Sequence, residues 1–271
     1  MMESNLVRRV LVAMVGVPLL LSMFWFGGLF LLVGLLGIIA GGSIEFYNFQ
    51  ESKGLHPWKW FGTAASLIWC VWVYHFGIEH TLYPLTVLLS ASLVLSLFSR
   101  NVETRFIDAV LTIAGTLYVG YLGSFALGVR NFVPTYGSDG KIIAVLILVA
   151  IWATDTVAYF SGRLLGKRHP FPHVSPNKTG AGFAGGLVGA LGVSVAGVKL
   201  TGISLEQGLA MGFIVGIGAQ AGDLVASMMK RDAGIKNSSS VFPGHGGFLD
   251  RFDSFLFAFP LVYLYLAAMH Q

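Results

Sequence analysis

The sequence predicts an all-α integral membrane protein with about nine transmembrane helices and a cytoplasmic N-terminus. The 271 residues are 55% hydrophobic and only 11% charged, whereas a soluble domain carries about 25% charged residues. Long apolar windows follow one another along the chain, and most lysines and arginines lie in alternate connections between them. Because no stretch is polar enough to form a soluble domain, we expect a single membrane domain over residues 1–271.

Nine windows are long enough to cross about 30 Å of hydrocarbon. They lie at residues 10–26, 29–47, 61–78, 81–98, 107–129, 142–162, 181–200, 208–225 and 252–269. Gly27-Gly28 joins the first two windows, which predicts a tight hairpin. The windows at 181–200 and 208–225 are rich in Gly and Ala, so their helices are expected to pack with backbones close together. The lone cysteine, Cys70, lies in an apolar window and excludes an internal disulfide.

The distribution of lysine and arginine predicts the orientation of the chain in the membrane. With nine crossings and the N-terminus inside, the outer segments hold only Arg130, Lys141 and Lys199 of the 17 lysines and arginines. This bias follows the positive-inside rule. It places two long polar loops, residues 163–180 and 226–251, on the cytoplasmic side.

Five acidic residues fall at the predicted cytoplasmic ends of helices. Ionisable groups at membrane depth are costly and indicate a functional site. They are Glu45, Asp155, Asp223, Asp250 and Asp253.

Asp250 and Asp253 are three residues apart at the start of the last helix and so share a face, while Asp223 closes the preceding helix. Three carboxylates around one point cannot all stay ionised unless a cation lies among them, and an all-oxygen ligand set favours Mg²⁺ over zinc. The alternative is that Asp250 and Asp253 only cap the last helix.

Two basic segments predict phosphate contacts. The first is Gly-rich, with Pro243 and three glycines around a histidine; its polar residues are Lys230, Arg231, Lys236, His245 and Arg251. The second contains Ser175, Lys178 and Thr179 just before a helix, where hydroxyl, ammonium and N–H donors come together. It lacks the spacing of a P-loop ATPase. Asp155, near this second segment, is either a metal or cytidine-amine partner or a structural hydrogen-bonding residue. For the first segment, the alternative is contact with anionic lipid headgroups.

At this point the residues resemble a known family, the phosphatidate cytidylyltransferases (CDP-diacylglycerol synthases). The resemblance covers most of the chain and is densest from about residue 150 to 255. Its most specific part is Ser227-x-x-Lys230-Arg231-x-x-x-Ile235-Lys236, followed by Pro243-Gly-His245-Gly-Gly-x-x-Asp250-Arg251-x-Asp253-Ser254. Further matches are Gly222-Asp223-Leu224, Ser175-Pro176-x-Lys178-Thr179, Asp155-Thr156-x-Ala158-Tyr159-Phe160-x-Gly162-Arg163 and Glu45-Phe46-Tyr47.

The resemblance implies a homodimeric enzyme of the bacterial inner membrane that joins CTP to phosphatidate and releases pyrophosphate. It implies Mg²⁺ on Asp223 and Asp250 with Asp253 nearby, and a second cation as an option. Triphosphate and phosphatidate would be held by Lys230, Arg231, Lys236, His245 and Arg251, and the nucleotide by Ser175, Lys178 and Thr179. The partners expected are the two substrates and the lipid bilayer, with no nucleic acid. We accordingly divide the domain into N-terminal transmembrane helices over 1–141 and catalytic helices over 142–271.

Three positions depart from the family pattern. Ala181, Ala226 and Asn237 stand where the pattern has acids. Each change removes a carboxylate from a site that uses carboxylates to hold cations. A weakened or inactive relative that binds nucleotide or lipid is therefore an alternative, and a transporter built around the membrane-depth acids is a more distant one.

Overall fold

The computed structural model describes residues 2–99, 101–132, 139–235, 238–239 and 246–269, with the helical backbone only for residues 2–12. Its regular structure is helical, which confirms the predicted fold class. The helices are α1 (Met2–Phe26), α2 (Gly28–Glu51), α3 (Lys59–Phe76), α4 (Leu82–Ser96), α5 (Arg105–Gly115), α6 (Leu122–Arg130), α7 (Gly140–Leu165), α8 (Gly180–Thr201), α9 (Leu205–Asp232) and α10 (Leu249–Met269).

Two helices run together as one rod. The stretch Thr116–Tyr121 is π-helical and connects α5 to α6, so the helix is continuous over Arg105–Arg130. At the start of the π-helical stretch, the Thr116 hydroxyl is within hydrogen-bond distance of the carbonyl oxygens of Thr112 (3.0 Å) and Gly62 (3.2 Å).

Seven helical stretches among the described residues are long and apolar enough to cross a membrane. They correspond to α2, α4 with the short turn before it, the α5–α6 rod, and α7 to α10. Large apolar side chains such as Phe30, Val87 and Phe213 stay exposed on these helices, as expected for lipid-facing surface. The chain is therefore a multi-pass membrane protein. The remaining two of the nine predicted crossings correspond to α1 and α3, and the count of nine and the cytoplasmic N-terminus stay predictions.

The chain forms two compact units, one of residues 1–128 and 232–252, the other of residues 129–231 and 253–271. In the first unit, α1 and α2 meet at Gly27, where φ is 66° at Gly27 and 56° at Gly28, so the predicted turn at this glycine pair is confirmed. Tyr47 of α2 is fully buried, and its hydroxyl donates to the Thr112 carbonyl oxygen at 2.8 Å. Gly62 and Gly115 leave room for this ring, since a Cβ at either would collide with it.

The second unit contains closely packed α7, α8 and α9. A Cβ at Gly189 of α8 would lie 2.8 Å from the carbonyl oxygen of Ala153 on α7. On α9, a Cβ at Gly212 would lie 2.8 Å from the Cα of Leu191 on α8. The predicted close approach of the Gly-rich helices is therefore confirmed.

At the start of α7, the Asp139 carboxylate caps the helix by accepting a hydrogen bond from the Lys141 N–H at 3.0 Å. The hydrogen bonds to Lys141 lower the pKa of this carboxyl group below its ordinary value. Asp139 thus has a local structural role.

Candidate active site

Helices α9 and α10 pack closely together at Gly222. A Cβ at this position would collide with the carbonyl oxygen of Asp253, and one at Gly218 would lie 3.4 Å from the Cα of Ala258. The Gly218-x-x-x-Gly222 spacing therefore leaves one face of α9 without side chains at these two positions, and the α10 backbone packs closely against this face. This contact brings the α9 residue that follows Gly222, Asp223, near the buried Asp253.

Asp223 forms an ion pair with Lys178. Lys178 Nζ lies 2.7 Å from Asp223 Oδ2, and the side chains are 24% and 36% exposed. The Nζ atom itself is buried and makes no well-aligned hydrogen bond, so the contact is an ion pair at close distance. The other oxygen, Oδ1, lies 3.3 Å from the Ser227 hydroxyl. The structure thus joins two of the predicted site residues and adds Ser227, a member of the long signature.

Asp253 is the most enclosed carboxylate of this unit. Its side chain is 6% exposed, and Oδ1 accepts a hydrogen bond from the Ser254 N–H at 2.6 Å. Its electrostatic neighbours are the carboxylates of Asp223 and Asp155 and the ammonium of Lys230. A buried carboxylate beside two others is an arrangement that a cation stabilises.

The loop before α8 is held by its own residues and by α9. The Thr179 hydroxyl oxygen caps α8 by accepting from the Gly182 N–H at 3.1 Å. Ser175 lies in a turn, and its carbonyl oxygen accepts a hydrogen bond from the Lys178 N–H at 3.2 Å. From α9, Arg231 Nε donates to the Val174 carbonyl oxygen at 3.4 Å. Thr179 therefore has a structural role, and nucleotide contacts of this loop stay a prediction.

In the other unit, Asp250 holds the segment before α10 through hydrogen bonds. Its Oδ2 accepts from the Ser238 N–H at 2.9 Å, the Ser238 hydroxyl at 2.8 Å and the Gly247 N–H at 3.1 Å. Gly246 has φ of 84°, and a Cβ on it would collide with the same carboxylate. The glycines of the signature thus allow the backbone to reach Asp250. These donors all precede α10, so the observed bonds of Asp250 hold the preceding segment rather than the N–H groups of the helix itself. Metal binding by Asp250 stays a prediction.

Glu45 of α2 binds the start of α10. The residue is 3% exposed. Its Oε1 accepts from the Phe248 N–H at 2.9 Å and the Ser239 hydroxyl at 2.6 Å, and its Oε2 from the Leu249 N–H at 2.9 Å. A Cβ at Gly247 would collide with Oε1. Glu45 therefore satisfies N–H groups that the first turn of a helix leaves unpaired.

Three positions singled out in the sequence lie outside the described residues. Lys236, Asn237 and His245 are outside the described residues, and Arg251 is exposed. Of the departures from the family pattern, Ala226 is 2% exposed inside α9, whereas Ala181 is half-buried in the first turn of α8. An acid would be costly at 226 and favourable at 181, where the helix N-terminus attracts negative charge.

The donor set suits Mg²⁺. Within the described ranges, no three His, Cys, Asp or Glu side chains converge closely enough to hold a metal ion by themselves. Mg²⁺ does not need such a cage, because it usually binds one or two carboxylates together with water and substrate phosphates. The neighbouring carboxylates of Asp223 and Asp253 are hard oxygen donors, the type that this ion prefers.

The sequence places Glu45 at membrane depth but does not indicate its partner. The roles of Ser238 and Ser239 are not among the sequence predictions. The signal for the two serines was a Ser-Ser-Ser run just before the Gly-rich turn, since hydroxyl groups there can bind nearby carboxylates.

Comparison with known proteins gives one consistent result. Residues 7–269 match the model of the cytidylyltransferase family. A phosphatidate cytidylyltransferase of Staphylococcus haemolyticus is 34% identical, with 96% of this chain and 99% of the relative covered. One from Bacillus subtilis is 35% identical over 85% of this chain and 87% of its own. One from Synechocystis sp. is 30% identical, with 97% of each chain covered.

Proposed function

The chain belongs to the cytidylyltransferase family, and from that premise we propose that it transfers the cytidylyl group of CTP to phosphatidate, giving CDP-diacylglycerol and pyrophosphate. The observation that carries this proposal is the match to phosphatidate cytidylyltransferases over nearly the whole chain. The ion pair of Lys178 with Asp223 supports it, because a cation and a carboxylate lie together as a phosphate-and-metal site requires. A transporter is disfavoured by the same family membership.

The proposed reaction needs no nucleophile from the protein. An oxygen of the lipid phosphate attacks the α-phosphorus of CTP, and the bond from that phosphorus to the β-phosphate oxygen breaks as pyrophosphate leaves. The protein contributes positioning and neutralisation of charge. Lys178, Lys230 and Arg231 are the described cations we assign to the phosphates, and Lys236, His245 and Arg251 join them through the family signature.

Asp223 and Asp253 are the residues we propose to hold Mg²⁺, and the signature adds Asp250. The ion would supply charge neutralisation on the triphosphate and the leaving pyrophosphate. For Asp250 we propose a second task, which is to hold the Ser238 and Gly247 backbone through the hydrogen bonds of its Oδ2.

The setting of this chemistry is also a proposal. We place the enzyme in the bacterial inner membrane as a homodimer, with loops 163–180 and 226–251 on the cytoplasmic side. The charge distribution and the family resemblance support this arrangement. It lets CTP arrive from the cytosol while phosphatidate enters from the bilayer.

A transfer assay tests the function. Purified protein in detergent is given phosphatidate, radiolabelled CTP and Mg²⁺, and the lipid is extracted. We expect label in the lipid phase, its loss on chelation of Mg²⁺, and a decrease of about a hundredfold or more in Asp223→Ala. The matched control is Asp232→Ala, nine residues further along α9, whose exposed carboxylate pairs with Lys53; its activity should equal that of the wild type.

An unlabelled lipid phase with wild-type protein would contradict the proposed function. In that case, Ala181→Glu combined with Asn237→Asp restores two acids of the family pattern without burying a charge at Ala226. Activity of this variant alone would identify the wild type as an inactive relative that kept its binding residues.

A further inference from the structure

Two carboxylates from different helices hold the same two short segments. Ser238 and Gly247 donate to Asp250, while Ser239 and Phe248 donate to Glu45. Asp250 belongs to the long signature, but Glu45 lies about 200 residues earlier in the chain, near the end of α2. The segment that opens α10 is therefore fixed from outside as well as from within.

We propose that Glu45 is a positioning residue for catalysis, which holds the first turn of α10 in the conformation that cytidylyl transfer requires. This inference rests on the proposed function. The first turn of α10 carries Asp250 and Arg251, both assigned to the site. Glu45 acts on them through the backbone N–H groups of Phe248 and Leu249, which it binds at 2.9 Å each.

The contacts of Glu45 favour positioning over a direct role. Both carboxylate oxygens already accept hydrogen bonds from protein donors, two on Oε1 and one on Oε2. The residue is 3% exposed, and Gly247 packs against it so closely that a side chain there would collide with Oε1. Replacing a buried acceptor that three donors share leaves at least one of those donors without a partner, so the change should loosen this turn measurably.

Glu45→Gln is the sharpest test because it keeps the size of the side chain. An amide has one acceptor oxygen and one donor nitrogen, whereas the donors of Ser239, Phe248 and Leu249 face both ends of the carboxylate. Whichever way the amide turns, at least one donor meets an NH₂ group. The matched control is Glu51→Gln, since Glu51 is an exposed acid at the end of the same helix that pairs with Lys59.

The experiment measures hydrogen exchange and kinetics of the purified full-length protein. In Glu45→Gln we expect the amides of Phe248 and Leu249 to exchange about tenfold faster, with α8 unchanged. We expect kcat to fall about tenfold or more and KM for CTP to change less than about threefold, because misplaced groups cost most in the transition state. Glu51→Gln should match the wild type in both measurements.

Ser239→Ala is the second variant, which tests the same contact if the Glu45→Gln protein does not fold. It removes only the side-chain donor and should change exchange and kcat in the same direction by about two- to threefold. Unchanged exchange at Phe248 and Leu249 in the variants would refute the positioning role, whatever the activity. Faster exchange with unchanged kcat would show that the contact is structural only. A wild type that transfers no cytidylyl group would instead refute the proposed function.

Discussion

At the scale of single residues, Lys178 forms an ion pair with Asp223, a carboxylate that we propose as a ligand of Mg²⁺. Its ammonium lies 2.7 Å from Asp223 Oδ2, and an ammonium and a metal ion compete for the same oxygen. Lys178 would have to leave Asp223 as the ion binds, and its charge would then be available to a phosphate. The pair thus keeps Asp223 neutralised before substrate arrives.

Lys178→Gln should therefore have two opposite effects. The transfer rate, as kcat/KM for CTP, should fall by about ten- to a hundredfold, since a phosphate-binding cation is lost. The affinity for Mg²⁺ without nucleotide should rise, because Asp223 is no longer paired, and titration calorimetry measures this. Lys167→Gln, an exposed lysine of the same loop, is the control. Weaker Mg²⁺ binding in Lys178→Gln would contradict the competition.

At the scale of helices, the crossing of α9 and α10 depends on the absence of a side chain at Gly222. A methyl group there meets the Asp253 backbone, which cannot move as the end of a flexible side chain can. Overpacking of this kind costs about 1–3 kcal/mol. It would also displace Asp253 from Asp223.

Gly222→Ala should lower the thermal unfolding midpoint by several degrees in detergent and reduce transfer activity. The control is Gly192→Ala, an exposed glycine of α8 where an added Cβ meets nothing within 4 Å. That change should leave the midpoint the same or raise it, because Ala favours helix. Equal unfolding midpoints for the two variants would contradict this prediction, because they would show that α9 and α10 can separate at Gly222 without loss of stability.

At the scale of the whole molecule, the sequence predicts helices far better than side-chain contacts. The length of an apolar segment predicts a membrane helix, because the backbone polar groups in hydrocarbon must hydrogen-bond within the segment. The turn at Gly27 was predicted from the Gly27-Gly28 pair between two apolar segments. The Lys178–Asp223 pair and the Glu45 contacts join residues about 45 and 200 positions apart. Such contacts depend on how helices pack, and no local pattern specifies this. The π-helical stretch at Thr116–Tyr121 likewise had no local signal.

The orientation of the chain is the remaining whole-molecule prediction. Cys70 is fully buried, and Cys70→Ser gives a background for single-cysteine labelling. In this background we add His169→Cys in the loop before α8 or Lys199→Cys near the end of α8, both exposed positions. A maleimide that cannot cross membranes should label the Lys199→Cys protein in intact cells or spheroplasts, and the His169→Cys protein only in inverted vesicles. The physical reason is the excess of lysine and arginine in the segments assigned to the inside. Labelling of both positions from one side would contradict a membrane crossing by α8, and the opposite pattern would place the proposed CTP site outside the cytosol.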